Sequence, residues 1–454
     1  MIGDKREFFC FVKVLKKGDL KMKMKMNFKQ ILILVVLLVA TFLITMSAVA
    51  ADQKVKMEVI LLNNPSNIVH FDLAAEKIKQ FNIDNKYNVE LQLEGYESEQ
   101  FKTKIATLMV SNAQPDIFYT WEAGFLKPFV DGGKVYPIGD AINKDSEWKD
   151  RFVEGVFGPL TYDGKVYGVP STTQVCVMFY NKKLFKDAGI DSVPKTYDEF
   201  LAAIESLKKI NIIPITLPSQ KAWIASQLMQ QIANGIGGDD LYNKLLAGTT
   251  GWDDPRFVEA GRLLANLVKN NTFQKGFLGM SQDEGRDLFK NEKAAMYYMG
   301  TWDISGLTAE DVPVAKNENV DFFLLPPVKP ENSGVLVGSI GNCVAVSSNA
   351  KNIDAAVAFV KSLSDKGIQE ALTYKSGQVI VTKIKLDESK LNPLTVKLTS
   401  MQTDIHTLTP WFDRIFGPGQ GTEFNNAAVA IAGGGDPAEQ MKKLQKFAEE
   451  NAKR

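Results

Sequence analysis

Four tryptophans, a few amides and two carboxylates are the residues of this chain whose types could recognise a ligand. Trp121 is followed by Glu122, and Trp302 by Asp303, so a flat ring stands next to a carboxylate twice. Trp223 and Trp411 add two more rings, and Asn63, Asn64 and Gln174 add amides. Aromatic rings cover apolar ligand faces, while carboxylates and amides take hydroxyl groups in pairs. Sugars present both surfaces, an apolar ring face and a rim of hydroxyls. A single Trp is more often core than platform; the set carries more weight than its members.

Chemistry on a bond needs residues that this chain does not space for it. It has only two histidines, His70 and His406, no HExxH and no CxxC. Serines lack the neighbouring His pattern of a triad. Gly417-Pro418-Gly419-Gln420-Gly421 is glycine-rich, but it reads as a loop and not as a phosphate cradle opening a helix after a strand. Carboxylates are plentiful, so counting leaves a glycosidase pair open, although no spacing favours one. The expectation is a protein with no metal, no cofactor and no catalytic residues.

Positioning the binding groups falls to alternating strands and helices. Lys54–Leu62 is a strand that ends in the polar loop Asn63-Asn64-Pro65-Ser66-Asn67, and a helix follows with Phe71, Ala74, Ala75, Ile78 and Phe81 on one face. Val89–Leu93 is a second strand, Ser98–Val110 a helix, and Pro115–Tyr119 a third strand ending at Thr120-Trp121-Glu122. Such units predict a mostly parallel sheet covered on both faces, with ligands outside the carboxyl ends of its strands. Trp302 and Asp303 likewise follow a strand, Lys293–Met299. Asp163-Gly164 makes a tight hairpin turn. Val175–Tyr180 is apolar throughout and predicts a strand buried on both faces, and Thr196 with Glu199 forms a capping box. A helix begins near Trp223 and runs to Ile232. Pro393–Thr407 reads as one helix capped by Asn392, and Asp436-Pro437 opens the last helix.

The chain carries 53 Lys/Arg against 53 Asp/Glu, unevenly placed. Residues 1–50 hold nine basic and three acidic residues, leaving 44 and 50 beyond them, a net charge of −6. A moderately acidic body argues against nucleic acid. The Lys-rich stretch Lys21–Lys29, the uncharged run Ile31–Ala51 and Ala48-Val49-Ala50 read as a secretory signal with its cleavage site. Uncleaved, that run is long enough to serve as a membrane anchor. No Cys follows it to take a lipid. Beyond the signal only Cys176 and Cys343 remain, too few for a disulfide scaffold.

Four blocks carry a family resemblance: Gln114–Phe118 with Phe129–Val135; Tyr162–Glu199; Lys293–Met296 through Gly300-Thr301-Trp302; and Val337–Gly341 through Ala345. The second is the most specific, with its hairpin, Tyr-Gly-x-Pro, crossing strand, Tyr-Asn-Lys and Pro-Lys-Thr-x-x-Glu in one register. On these blocks the chain resembles the extracellular solute-binding proteins of bacterial sugar ABC importers, the maltose-binding-protein-like group, over residues 52–454. The resemblance implies a class II type periplasmic-binding-protein fold: two α/β lobes, a ligand cleft between them, and crossing hinge strands that join them. Lobe 1 would comprise 52–173 and 341–391, lobe 2 174–340 and 392–454, with 1–50 as signal. It implies a monomer that closes over a carbohydrate, by analogy an oligosaccharide, and docks on a membrane permease. By position, Trp302 matches the family's stacking Trp, Trp121 and Glu122 a loop touching hydroxyls, Gln174 a polar hinge residue and Trp411 a late stacking aromatic. Asn63, Asn64, Trp223 and Asp303 complete the expected site. Ala123 departs from the family pattern, which often has Asp there. A secreted glycoside hydrolase and a carrier of a non-sugar solute stand as alternatives; a phosphorylated ligand would call for cleft Arg or Lys, and the candidate loops carry none. Cys176 and Cys343 both fall beside the proposed crossing strands, so they are either a disulfide across the hinge or two small buried apolar groups.

Overall fold

The computed structural model describes residues 54–84, 86–316 and 318–452, and the expected signal at 1–50 lies outside them. Val55–Leu62 is a strand buried along its carboxyl half, as a strand covered by helices on both faces must be. It pairs in parallel with Val89–Tyr96 and with Ile117–Thr120. Parallel neighbours are joined by crossovers, usually through helices. Ile68–Asp84 and Ser98–Val110 supply them, the first burying Ala74 and Ile78 and the second Phe101, Ile105 and Met109. The fourth strand of this sheet, Cys343–Val346, comes from far along the chain and runs antiparallel beside Ile117–Thr120.

The second sheet is built around Thr172–Asn181, whose side chains are buried except at Thr173 and Tyr180. This strand runs antiparallel to Val335–Gly341, Ala294–Gly300, Val320–Phe323 and Val379–Ile380. Ile213–Thr216 and Thr407–Thr409 add parallel pairings, to Ala294–Gly300 and Val335–Gly341 respectively. The expected mostly parallel sheet therefore describes the first sheet's opening units and not the second sheet. Strands that enter from the other half arrive pointing the opposite way, and no local periodicity encodes that direction.

Two hydrophobic cores result. One contains Met57, Ile60, Phe101, Trp148, Val344 and Phe359; the other contains Val177, Phe200, Leu228, Trp252, Met296 and Leu444. Membership passes from the first core to the second between Val169 and Val175, back between Val337 and Ile340, and across again between Val381 and Leu394. At the middle passage Asn342 adopts φ 51° between two strands, a left-handed geometry that Asn tolerates better than most residues.

Several elements differ from the sequence expectations. Pro393–Ser400 is helical, but Thr407–Thr409 leaves the helix to pair with the sheet edge, a tertiary gain that overrides the local pattern. The helix at Trp223 continues to Leu246, interrupted at Gly238. The glycine-rich run expected as a loop opens the helix Gly417–Ala432. Two of its glycines serve close packing: a Cβ on Gly421 would lie 2.5 Å from the Asp413 Cα, and one on Gly417 2.7 Å from the Gly124 carbonyl. Cys176 and Cys343 are both buried and free, so no disulfide crosses the hinge. Cys176 stands opposite Gly300 in one sheet and Cys343 opposite Thr120 in the other, because the turn at Asn342 carries the chain away before Cys343 is reached.

Candidate ligand cleft

The carboxyl ends of the first sheet build one wall of a cleft. After Leu62 the chain turns through Asn64, whose Oδ1 accepts from the Asn67 amide at 3.0 Å while its Nδ2 donates to Ser98 Oγ at 2.9 Å. After Thr120, Trp121 packs edge-to-face with Tyr119 (5.1 Å, 79°) and Phe125 (4.9 Å, 78°). Edge-to-face pairs fix ring planes without stacking their faces against each other. The Lys102 ammonium lies 5.5 Å from the Trp121 ring centre and pairs with Glu99 at 3.0 Å.

The second half supplies the facing wall. Ala294–Gly300 ends beside Trp302, and a Cβ on Gly300 would fall 2.2 Å from that indole, so only glycine leaves it room. Trp302 lies 6.1 Å from Trp223 and 5.6 Å from Trp411, ring centre to ring centre. The Arg414 guanidinium covers the Trp411 ring at 3.9 Å. About 770 Å³ of open space separates Tyr119, Trp121 and Phe125 from Trp223, Trp302 and Trp411, with Asn64, Ser66, Asn67, Gln174 and Gln282 contributing amides and hydroxyls around it.

The halves touch across this space. Ser66 Oγ donates to Asp303 Oδ1 at 2.7 Å, Lys221 pairs with Glu97, and Arg414 Nη1 donates to Glu122 Oε1 at 3.4 Å. Beneath them the backbone of Gly124 abuts Ile415 so closely that a Cβ would lie 2.0 Å from its carbonyl oxygen. Burial works against the Arg414 charge, yet Glu122, Tyr119 and Asp413 together hold its pKa above the ordinary value.

At the inner end the cleft reaches the hinge. Asn67 Nδ2 donates to Asn342 Oδ1 at 2.5 Å, and Asn342 Nδ2 donates to Gln378 Oε1 at 3.0 Å. Gln174 Nε2 approaches the same Gln378 oxygen at 3.5 Å. Asn67, Asn342, Gln378 and Gln174 are all buried, and the shared hydrogen bonds meet the rule that buried amides be satisfied.

Residues 71–370 match the family described as bacterial extracellular solute-binding protein. The chain belongs to that family. Among relatives, an ABC transporter extracellular-binding protein of Pyrococcus horikoshii is 29% identical over 256 residues, 55% of this chain and 58% of that one. The diacetylchitobiose binding protein of Streptomyces coelicolor is 27% identical over 304 residues, 65% of this chain and 67% of that one. The matches thus span about three fifths of the length of the first curated relatives. A solved structure of a chitin oligosaccharide binding protein superposes with a TM-score of 0.82 and 26% identity, covering 88% of this chain and 99% of that one. The two α/β halves with crossing strands are the two-domain solute-binding fold.

In this binding protein six of the nine sequence-expected residues line the cleft: Asn64, Trp121, Gln174, Trp223, Trp302 and Trp411. Asn63 is exposed outside it, its amide bonded to the Tyr96 carbonyl. Glu122 is fully buried, with Oε1 facing Arg414 and Oε2 without a hydrogen-bond partner among the described residues. Asp303 is 2% exposed and accepts from Arg286 Nε (3.0 Å) and Nη2 (3.1 Å), Tyr297 OH (2.9 Å) and Ser66. Burial first, and the Asp303 charge next, push the Tyr297 hydroxyl well above its ordinary pKa. The strand-end rule pointed to the loop that holds Ser66 and Asn67 without singling them out, and sequence reasoning missed Gln282, a helix-start residue with no pattern of its own. It also missed Lys102 and Arg414, two cations that line the cleft although the loops singled out in the sequence carry none.

Proposed function

We propose that this protein is an extracytoplasmic carbohydrate-binding protein that delivers its ligand to the permease of an ABC importer. The observation that carries the reading is the pair of facing aromatic walls, each with its own Trp, with amides and hydroxyls between them. Rings on both sides suit a pyranose presenting two apolar faces, and the polar rim suits its edge. The family membership and the carbohydrate-binding names of its relatives point the same way. We assign lobe 1 to 52–173 and 341–391 and lobe 2 to 174–340 and 392–454, the two cores being the support. Ligand touching both walls favours the closed form by its differential affinity, and that form presents the permease surface. The protein acts as a monomer after secretion; no helix among the described residues is long and apolar enough to cross a membrane.

A specific feature raises a second reading, a phosphorylated polyol. Lys102 and Arg414 both face the cleft. Each is already matched, Lys102 by Glu99 at 3.0 Å and Arg414 by Glu122 at 3.4 Å, which favours a neutral ligand. A thermal-shift screen of mono- and oligosaccharides with glycerol 3-phosphate as a separate arm decides between them, since a ligand bound by the native state alone raises the melting point. Chromatography of the bound sugar then tests the carrier against a hydrolase. Unchanged sugar recovered at one per chain is expected; cleaved products would overturn the carrier reading, and a shift with glycerol 3-phosphate alone would replace the sugar.

A further inference from the structure

Among the described residues, every charged side chain that lines the cleft has an ion-pair partner except one. The space between the aromatic walls adjoins a second, of about 1060 Å³, and Lys102, Glu99, Trp223 and Asp413 line both. Lys102 pairs with Glu99 at 3.0 Å, Arg414 with Glu122 at 3.4 Å, and Lys221 with Glu97. Asp413 is left over. Its side chain accepts from Asn425 Nδ2 at 3.4 Å, longer than an ordinary N–H···O bond. Arg414, the next residue, feels the Asp413 charge but directs Nη1 to Glu122. Three cations (Lys102, Arg414, Lys221) thus stand against four carboxylates (Glu99, Glu122, Glu97, Asp413), a net charge of −1.

The surrounding elements hold that carboxylate in place. Gln230 grips the backbone just before it, Nε2 donating to the Pro410 carbonyl at 2.9 Å and Oε1 accepting from the Phe412 amide at 3.0 Å. The helix Gly417–Ala432 packs directly against Asp413 through Gly421. Asn425 on that helix accepts from Ser226 Oγ, which leaves its Nδ2 for Asp413. A partly buried carboxylate with lone pairs to spare calls for donors, and a charged donor answers it about twice as strongly as a neutral one. The cleft tryptophans divide in the same way. Lys102 lies over Trp121 and Arg414 over Trp411; Trp223 and Trp302 carry no such cation among the described residues. An indole face attracts a cation, and Trp223 lines both spaces together with Asp413.

Building on the carbohydrate reading, we propose that the ligand is an amino sugar, a carbohydrate with a protonated primary amine, and that Asp413 is the residue that selects it. The ammonium donates to Asp413 beside the Trp223 ring and brings the enclosed charge to zero. Between a phosphate and an uncharged sugar the paired cations decide for the sugar; the unpaired acid carries the choice one step further, to a sugar with a positive group.

The test is calorimetry on the best sugar of the screen, its amine-for-hydroxyl counterparts and the N-acetylated forms of those amines. At least one amine should bind roughly tenfold more tightly than the hydroxyl parent, and acetylation, which removes the charge, should cancel the gain. Asp413→Asn, nearly the same shape, should bring amine and parent to within about threefold of each other. Added salt should narrow the same gap in the unaltered protein, a measurement that stands even where the variant fails to fold. No amine tighter than its parent, a gap indifferent to salt, or a gap that survives in folded Asp413→Asn would overturn the proposal while the carbohydrate reading stands. No binding by any sugar, amino or uncharged, would instead remove the carbohydrate reading itself.

Discussion

Ser66→Ala removes one hydroxyl and with it a direct polar link between the two halves, the 2.7 Å bond from Ser66 Oγ to Asp303 Oδ1. Asp303 carries a charge and is 2% exposed, so the bond is of the charge-assisted kind, about twice as strong as a neutral one. Its full loss would be worth about 1.5–3 kcal/mol. When the halves separate, however, the hydroxyl regains water and Asp303 keeps its two Arg286 bonds and that of Tyr297. The difference between closed and open forms then sits at the low end, about 1.4 kcal/mol, or tenfold in affinity. Titration calorimetry on the best carbohydrate should show that tenfold loss. Ser66 also lines the cleft, so a direct ligand contact must be separated from the link. A double-mutant cycle with Asp303→Asn does so: the neutral acceptor halves the bond, and the Ser66→Ala penalty should fall to about threefold in that background. An equal penalty in both backgrounds, or none in either, would refute the role assigned to this contact.

Trp302→Ala should abolish detectable binding and also lower stability by about 3 kcal/mol, because the indole is 7% exposed and packs on two other rings; denaturation monitored with calorimetry checks both, and retained affinity would refute the stacking role. Burial pushes the Cys176 thiol up to about 12 and raises that of Cys343 as well, so neither should react with a thiol reagent at pH 8 in native protein, while both should react after denaturation without reductant. His70, 5% exposed, has its pKa lowered by burial from 6.5 to about 4. Between those values the unfolded chain binds the extra proton, so this contribution is complete above pH 6.5 and is lost as pH falls toward 4, by about 3 kcal/mol. His70→Leu should flatten that part of the stability profile relative to the natural chain, and an unchanged slope would count against it.

Local rules made part of this protein legible before any coordinates. The Thr196–Glu199 capping box, the Asp163-Gly164 turn with both residues at positive φ, and the Asp436 cap of the last helix follow from side-chain reach and backbone sterics alone. The rule that ligands gather at strand carboxyl ends picked out Trp121 and Trp302, which do line the cleft. It failed to separate them from the carboxylates that follow. Glu122 and Asp303 turn inward to Arg414 and Arg286; Arg414 lies 292 residues from Glu122, and Arg286, 17 residues before Asp303, comes from the preceding helix. Arg414 itself carries no local signal: it reaches the cleft because Phe412–Ile415 forms a short helical turn that lays it over Trp411. Strand direction in the second sheet was equally hidden, since period-two patterning is the same for either orientation.

The hinge shows how much a single backbone angle decides. Val335–Gly341 lies beside Thr172–Asn181 in the second sheet, and Cys343–Val346, one residue on, lies in the first. Asn342 makes that transfer at φ 51°, and its side chain does not stay idle. It joins Asn67 to Gln378, whose oxygen Gln174 approaches from the other strand. Asn67 and Gln174 both line the cleft, so groups that would face a ligand and groups that set the crossing geometry share one buried hydrogen-bonded chain. A ligand can shift an equilibrium only by interacting differently with its two states. Asn67 and Gln174 come from different segments and are joined only through Asn342 and Gln378 among these hydrogen bonds, so closure as proposed above would act on this chain. The amide chain therefore ties cleft-lining groups to the residue at which the chain crosses between the sheets, and the two cysteines, which sequence position alone would place together, are kept apart by the same turn.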